Sequence, residues 1–176
     1  MNWSVRAENL RVATIAAVDK LSAELEGQGL YGICLQTADD GMSVGFCANT
    51  EEGYAKKRAA EAKVEDITPD YAAYLRWAPA EWRYESFGDG YFAEVNRDLT
   101  AASLGSSADP ILHSDRLIDA MIDALAHLRV ERAQLLAGVM LFVTISDSEA
   151  APAVERRSVH RLNPPALAGK FGLPSG

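Results

Sequence analysis

The sequence predicts one α+β domain, with a mainly antiparallel sheet of about four to five strands packed with about five helices. The length of 176 residues suits a single domain, and 48% hydrophobic with 24% charged residues is ordinary for a soluble globular protein. Segments with a helical repeat and segments with a two-residue repeat follow one another in the order α-β-β-α-β-α-α-β-α. Without an internal repeat, residues 1–165 are expected to form the domain, and residues 166–176 an extended C-terminal tail.

The chain opens with an amphipathic helix, which Ser4 is suited to cap and which Gly27 ends. A hairpin follows. Large apolar and small residues alternate over residues 31–37 and again over residues 42–48, on either side of the turn signal Asp40-Gly41. These two strands are the clearest β signal in the chain.

The small residues Gly32, Cys34, Gly45 and Cys47 share one face of this hairpin. Such a face indicates that another element, most simply a helix, packs close against it. A two-residue turn places Cys34 opposite Cys47. The pair is then either a redox pair or two ordinary buried thiols, which a titration of the unfolded protein distinguishes.

The middle of the chain holds an aromatic stretch, residues 70–85, that we take as the centre of the fold. A helix that Asn49 can cap precedes it and ends near Lys63. Within the stretch, residues 71–77 alternate in a way that predicts a strand, and a short helix starting at Pro69 is the competing interpretation.

Four elements are predicted after the aromatic stretch. Residues 92–102 have a helical repeat, and a longer amphipathic helix begins with Ser114 as its cap. Residues 139–145 are apolar without alternation, which predicts a central strand covered on both faces. A last helix near residues 152–159 follows Asp147, which is suited to cap it.

The net charge of −8 is unevenly distributed. Residues 151–176 carry four basic residues and one acidic residue, so the remaining 150 residues carry a charge of −11. This negative charge repels nucleic acid and suits a basic protein partner, and plain solubility is its simpler explanation. With two cysteines, no signal peptide and no apolar run near the roughly 18 residues of a membrane span, we expect a cytoplasmic protein without membrane contact.

No motif for catalysis, a cofactor or a metal is found in the sequence. His113, His127 and His160 are scattered rather than spaced as ligands, and no glycine-rich phosphate loop is present. We therefore predict no catalytic residue, no cofactor and no metal site.

The candidate binding or structural cluster is Arg76, Trp77, Glu81 and Trp82, together with Asp147. The first four can form a polar pocket walled by indoles, or an ion pair that holds a turn to the core. Asp147, at the end of the last strand, can act as a carboxylate ligand or general base, or can cap the following helix.

The sequence resembles a bacterial family known as domain of unknown function 4303. The residues that carry the resemblance are the Tyr31–Leu35 alternation, Asn49-Thr50-Glu51-Glu52-Gly53, Arg76-Trp77-Ala78-Pro79-Ala80-Glu81-Trp82, Ile145-Ser146-Asp147-Ser148 and Leu162-Asn163-Pro164. The resemblance covers nearly the whole chain and implies no established activity or cofactor. Small cytosolic proteins of this type are suspected of serving as immunity or accessory proteins for bacterial toxins.

Two functions from different classes follow. The first is a non-enzymatic protein-binding module, for which the resemblance implies an antitoxin-like or immunity role. The second is a small-molecule-binding protein or enzyme with a pocket near Arg76, Trp77, Glu81 and Trp82. The partner, the substrate and the oligomeric state are left open.

Overall fold

A three-stranded sheet with helices on both faces organises the fold. The computed structural model describes residues 2–25, 27–104 and 110–172. Within these residues, the strands and α-helices in chain order are α1 (Trp3–Glu24), β1 (Leu30–Ala38), β2 (Val44–Thr50), α2 (Glu51–Glu61), α3 (Pro69–Trp77), α4 (Asp89–Ser103), α5 (Pro110–Glu131), β3 (Met140–Ser146), α6 (Ala151–Leu162) and α7 (Pro165–Ala168). A single 3-10 turn, Pro79–Glu81, lies between α3 and α4.

The strand order is β2-β1-β3, with β1 antiparallel to β2 and parallel to β3. The predicted hairpin register is confirmed, because Cys34 lies opposite Cys47. The predicted sheet of four to five mainly antiparallel strands is wrong, since the described residues form one mixed sheet of three. The strand predicted to be central, β3, is an edge strand. Its residues 140–145 are nevertheless all buried, since α5 and α6 pack against it.

The aromatic stretch begins with a helix that starts at Pro69, which was the competing interpretation, and the strand predicted for residues 71–77 is wrong. The Thr68 hydroxyl accepts a hydrogen bond from the Tyr71 backbone N–H at 3.2 Å, and Pro69 occupies the first turn of α3. A capping threonine followed by proline starts a helix more strongly than seven residues of alternation specify a strand. With α7, this accounts for seven α-helices in the described part of the chain instead of five.

Several predicted helix starts differ from the observed ones. Asn2, rather than Ser4, caps α1. Thr50, rather than Asn49, caps α2 with its side chain. Helix α5 begins before Ser114, which therefore lies inside it. Asn2 and Thr50 each lie within two residues of the predicted cap, because neighbouring polar residues compete for the same role.

The C-terminal segment differs from the extended tail that was predicted from residue 166. Residues 165–168 form α7, and the ring of Phe171 lies 5.0 Å from that of Trp77, centroid to centroid. Residues 173–176 lie outside the described residues. The first part of the predicted tail therefore belongs to the packed structure.

The two faces of the sheet carry separate cores. Helices α1, α4 and α5 cover one face, where the larger side chains such as Leu35, Phe46 and Met121 are buried. The other face buries a smaller cluster that includes Cys34, Cys47, Trp82 and Phe142. At Gly32 the closest group is the indole ring of Trp82, and helices α6 and α7 contribute Val159 and Ala168 to the same cluster.

Among the described residues, no helix is both long enough and apolar enough to cross a membrane.

Candidate functional site

The predicted cluster is built on the backbone carbonyl at the end of α3. The 3-10 turn Pro79–Glu81 reverses the chain, so that the Trp82 indole N–H donates to the Arg76 carbonyl at 2.9 Å. The Tyr31 hydroxyl donates to the same carbonyl at 2.7 Å and accepts a hydrogen bond from the Asn49 amide at 3.0 Å. The last carbonyls of a helix have no hydrogen-bond donor within the helix. Here Tyr31 of β1 and Trp82 after the turn supply the donors for the Arg76 carbonyl. These contacts fix α3 against the sheet.

The Arg76 guanidinium is held between a carboxylate and three aromatic rings. It donates to both carboxylate oxygens of Glu51, at 3.1 and 2.6 Å. Its central carbon lies 4.2 Å from the Tyr31 ring centroid, 5.1 Å from Tyr54 and 5.4 Å from Trp77. The hydrogen bonds to Glu51 raise the pKa of Arg76 above its ordinary value. The cation is therefore paired within the chain, and its contacts join α2, α3 and β1.

Glu81 belongs to a second network on the outer surface of α3. It accepts from Lys57 at 2.7 Å and from the Tyr74 hydroxyl at 3.1 Å. Lys57 also pairs with Glu61 at 2.9 Å, and Glu61 accepts from the Tyr71 hydroxyl at 3.1 Å. The two tyrosine rings are stacked, with centroids 6.1 Å apart and planes at 10°. We call these five residues the tyrosine face of α3.

Asp147 lies outside this cluster. It is exposed, has a left-handed backbone conformation (φ 54°) and follows Ser146, which pairs with Ala38 at the end of β1. Tyr31, which contacts Arg76, lies at the other end of β1, and no hydrogen bond or ion pair among the described residues joins Asp147 to the other four residues of the predicted cluster. Nor does Asp147 cap α6, because the N-cap residue is Ala150.

A cavity that sequence reasoning missed opens beside Trp77. Its volume is about 240 Å³. Tyr74 and Trp77 line it from α3, Phe171 from the C-terminal segment, Thr144 from β3 and Glu155 from α6. The lining is mostly apolar. Four segments that are distant in sequence therefore meet around one space.

Of the described residues that line this cavity, Glu155 is the only acidic one. The Thr144 hydroxyl donates to one of its carboxylate oxygens at 2.5 Å. No cationic side chain of the described residues pairs with it, and burial raises its pKa while the Thr144 hydrogen bond lowers it. The sequence gives little sign of this, because a lone glutamate followed by Arg156 and Arg157 is typical of an exposed helix face.

The remaining candidates have no comparable geometry. In residues 2–25, 27–104 and 110–172, no three histidine, cysteine, aspartate or glutamate side chains come together as metal ligands. Cys34 and Cys47 are free thiols and are both buried. Burial raises the pKa of Cys47 to about 11 and also raises that of Cys34. Because the thiolate is the reactive form, burial suppresses the reactivity of both residues.

The fold and these contacts define a small α+β domain in which a closed aromatic cluster borders an apolar cavity. A family model described as Domain of unknown function (DUF4303) matches residues 10–164, and the chain belongs to this family. The resemblance seen in the sequence is thereby confirmed. No curated protein and no solved structure matches the chain.

Proposed function

We propose that this chain is a non-enzymatic protein-binding module that takes a basic partner on the tyrosine face of α3. The observation that carries the proposal is the exposure of Tyr74, at 42%, next to the Glu81 carboxylate. Tyrosine is enriched at protein interfaces, since its ring offers a large contact area at a small entropic cost.

Charge supports a basic partner. The chain carries a net charge of −8, and the tyrosine face carries two carboxylates, Glu61 and Glu81, against one cation, Lys57. Complementary charge accelerates association and makes it sensitive to salt. A bacterial toxin neutralised by this chain is the specific partner of this kind that the family resemblance suggests.

A capture experiment with matched tyrosine variants tests the proposal. The wild-type protein, Tyr74→Ala and Tyr91→Ala are each used to capture proteins from a host lysate at low and high salt. Tyr91 on α4 is 45% exposed, so its loss removes a similar exposed ring from a different face. We expect one protein to be retained by wild type and Tyr91→Ala at low salt, and to be lost with Tyr74→Ala or at high salt.

The identified partner is then titrated against the purified variants. We expect Tyr74→Ala to weaken binding by about tenfold or more, as interface tyrosines commonly do. Retention of the same protein by the wild type and both variants, or of no protein by the wild type, would refute the proposal.

A second candidate function, small-molecule binding, is favoured by one observation, which is the cavity beside Trp77. A thermal-shift screen against metabolites and divalent ions tests it. Arg76 contacts Trp77, so Arg76→Ala should reduce the shift that a ligand produces, whereas the exposed control Arg83→Ala should not. If no compound raises the melting temperature, this second function is wrong.

A further inference from the structure

We propose that the cavity beside Trp77 binds a small organic cation, whose apolar body lies against the aromatic walls and whose ammonium group pairs with Glu155. This inference rests on the second candidate function and adds the chemical class of the ligand. It shares Tyr74 with the tyrosine face, but Glu155 and Phe171 lie outside that face, so the two proposals are tested with different variants.

The size of the cavity limits the ligand. Its volume of about 240 Å³ corresponds to roughly eight water volumes of about 30 Å³ each. That is below the roughly 300–1,000 Å³ of sites for drug-sized molecules, so the ligand is a small compound. A compound with a single ring and a short amine arm is of this size.

The aromatic walls select an apolar body that carries a cation. Trp77 and Phe171 lie with their ring centroids 5.0 Å apart, and Tyr74 lines the same space. Indole and phenol faces attract cations as well as apolar groups. Trp77 already contacts one cation, because Arg76 lies 5.4 Å from its ring centroid.

Glu155 supplies the charge that a cation would complement. One carboxylate oxygen accepts from Thr144, and no hydrogen bond to the other is found among the described residues. A half-buried carboxylate without a paired cation is costly, and an ammonium group entering the cavity would offset that cost. Arg157, two residues further along α6, does not pair with Glu155, since it pairs with Asp119 at 3.2 Å.

The other titratable groups near the cavity do not supply a cation either. From α3, the Tyr74 hydroxyl is engaged by Glu81. From β1, Cys34 lies near Glu155, which contributes to raising the pKa of the Cys34 thiol. This buried thiol is neutral and supplies no positive charge. A neutral or anionic ligand would therefore leave the Glu155 carboxylate without a counter-charge.

Three probes of similar shape and different charge test the inference. These are 2-phenylethylamine, its neutral analogue 2-phenylethanol, and the anion 3-phenylpropionate. Binding is followed by NMR of the indole N–H signals, which the chain's three tryptophans provide, with Trp77→Phe used for assignment. We expect the amine to shift the Trp77 signal but not that of Trp3, and to bind about tenfold or more tightly than the alcohol.

A charge-removing variant identifies the residue. Glu155→Gln keeps the shape of the side chain and its acceptor for Thr144, and should weaken amine binding by about tenfold while leaving alcohol binding unchanged. Glu149→Gln is the matched control, because Glu149 is exposed and does not line the cavity. If Glu155→Gln does not fold, the comparison of amine with alcohol on the wild-type protein still decides the question.

Each contrary outcome has a distinct meaning. Equal binding of the amine and the alcohol would overturn the cation inference while leaving small-molecule binding intact. Unchanged amine binding by Glu155→Gln would overturn the assignment of Glu155 and hence the inference. If no probe shifts Trp77, the inference fails, and the protein-binding proposal is still judged by the Tyr74→Ala experiment.

Discussion

Replacing Gly32 with alanine should destabilise the protein, because the new methyl group would meet the indole of Trp82. An ideal Cβ on Gly32 would lie 2.9 Å from Trp82 Cη2 and 3.2 Å from Cζ2. Carbon atoms in van der Waals contact are about 3.5–4.0 Å apart, so one of the two residues must move. The indole is held in place by its hydrogen bond to the Arg76 carbonyl and by its edge contact with Phe142.

Gly45→Ala is the matched control for the loss of stability expected of Gly32→Ala. A Cβ there would lie 3.8 Å from its nearest neighbour, the Ser86 hydroxyl, so Gly45→Ala keeps ordinary packing distances. Both substitutions reduce the entropy of the unfolded chain by a similar amount, so this contribution largely cancels in the comparison. Overpacking costs about 1–3 kcal/mol, so Gly32→Ala should be about 2 kcal/mol less stable than Gly45→Ala.

Thermal and urea unfolding measure this difference. A domain of this size loses about 2–4 °C for each kcal/mol, so the melting temperature of Gly32→Ala should lie about 4–8 °C below that of Gly45→Ala. Combining Gly32→Ala with Trp82→Phe makes room for the methyl group, so the double variant should lose less stability than the sum of the single changes. Equal stability of the two alanine variants, or strict additivity in the double variant, would refute this account of the packing.

Three further predictions concern other buried groups. Asn163→Ala removes an amide that forms hydrogen bonds with the β3 backbone and with Arg129. It should lower the free energy of unfolding, measured in urea, by about 2–4 kcal/mol. A decrease below about 0.5 kcal/mol would contradict this prediction. Burial raises the pKa of Glu155, so the folded state holds that proton to higher pH than the unfolded chain, and stability falls as the pH rises through the interval between the two pKa values. Glu155→Gln should therefore be more stable relative to wild type at about pH 7 than at about pH 4, and an equal difference at both pH values would argue against the burial. Cys34 and Cys47 are free and buried, so a thiol reagent should react slowly with the native protein and find two thiols once it is unfolded without reductant; fewer than two would show a disulfide.

The hairpin was predictable because its signals are local. Asp40-Gly41 marks the turn, and alternation on both sides specifies which residues face each other. In residues 71–77 the local signals conflicted, since a short apolar alternation fits a strand and a helix about equally well. The decisive information was just upstream, at Thr68 and Pro69, where a cap and a helix-starting proline are adjacent.

The position of β3 in the sheet could not be obtained from its own residues. An apolar run without alternation indicates that both faces of a strand are covered, which is true of residues 140–145. It does not indicate how many strands lie beside it. The central strand is β1. Its small residues Gly32 and Cys34 alternate with large apolar residues, so the sequence looks like a strand with one buried face although both faces are buried.

The predicted cluster follows from local sequence, whereas the cavity depends on the tertiary fold. Arg76, Trp77 and Trp82 lie within one short segment, so their proximity was already implied by the sequence. Glu155 and Phe171 join Trp77 only through the fold, and nothing in the residues around Glu155 distinguishes it from a solvated helix glutamate. What makes it chemically unusual is the apolar surface around it and the lack of a paired cation among the described residues, and both are properties of tertiary structure. The ligand binding proposed for this domain therefore depends on Glu155, a carboxylate for which the sequence gives no functional signal.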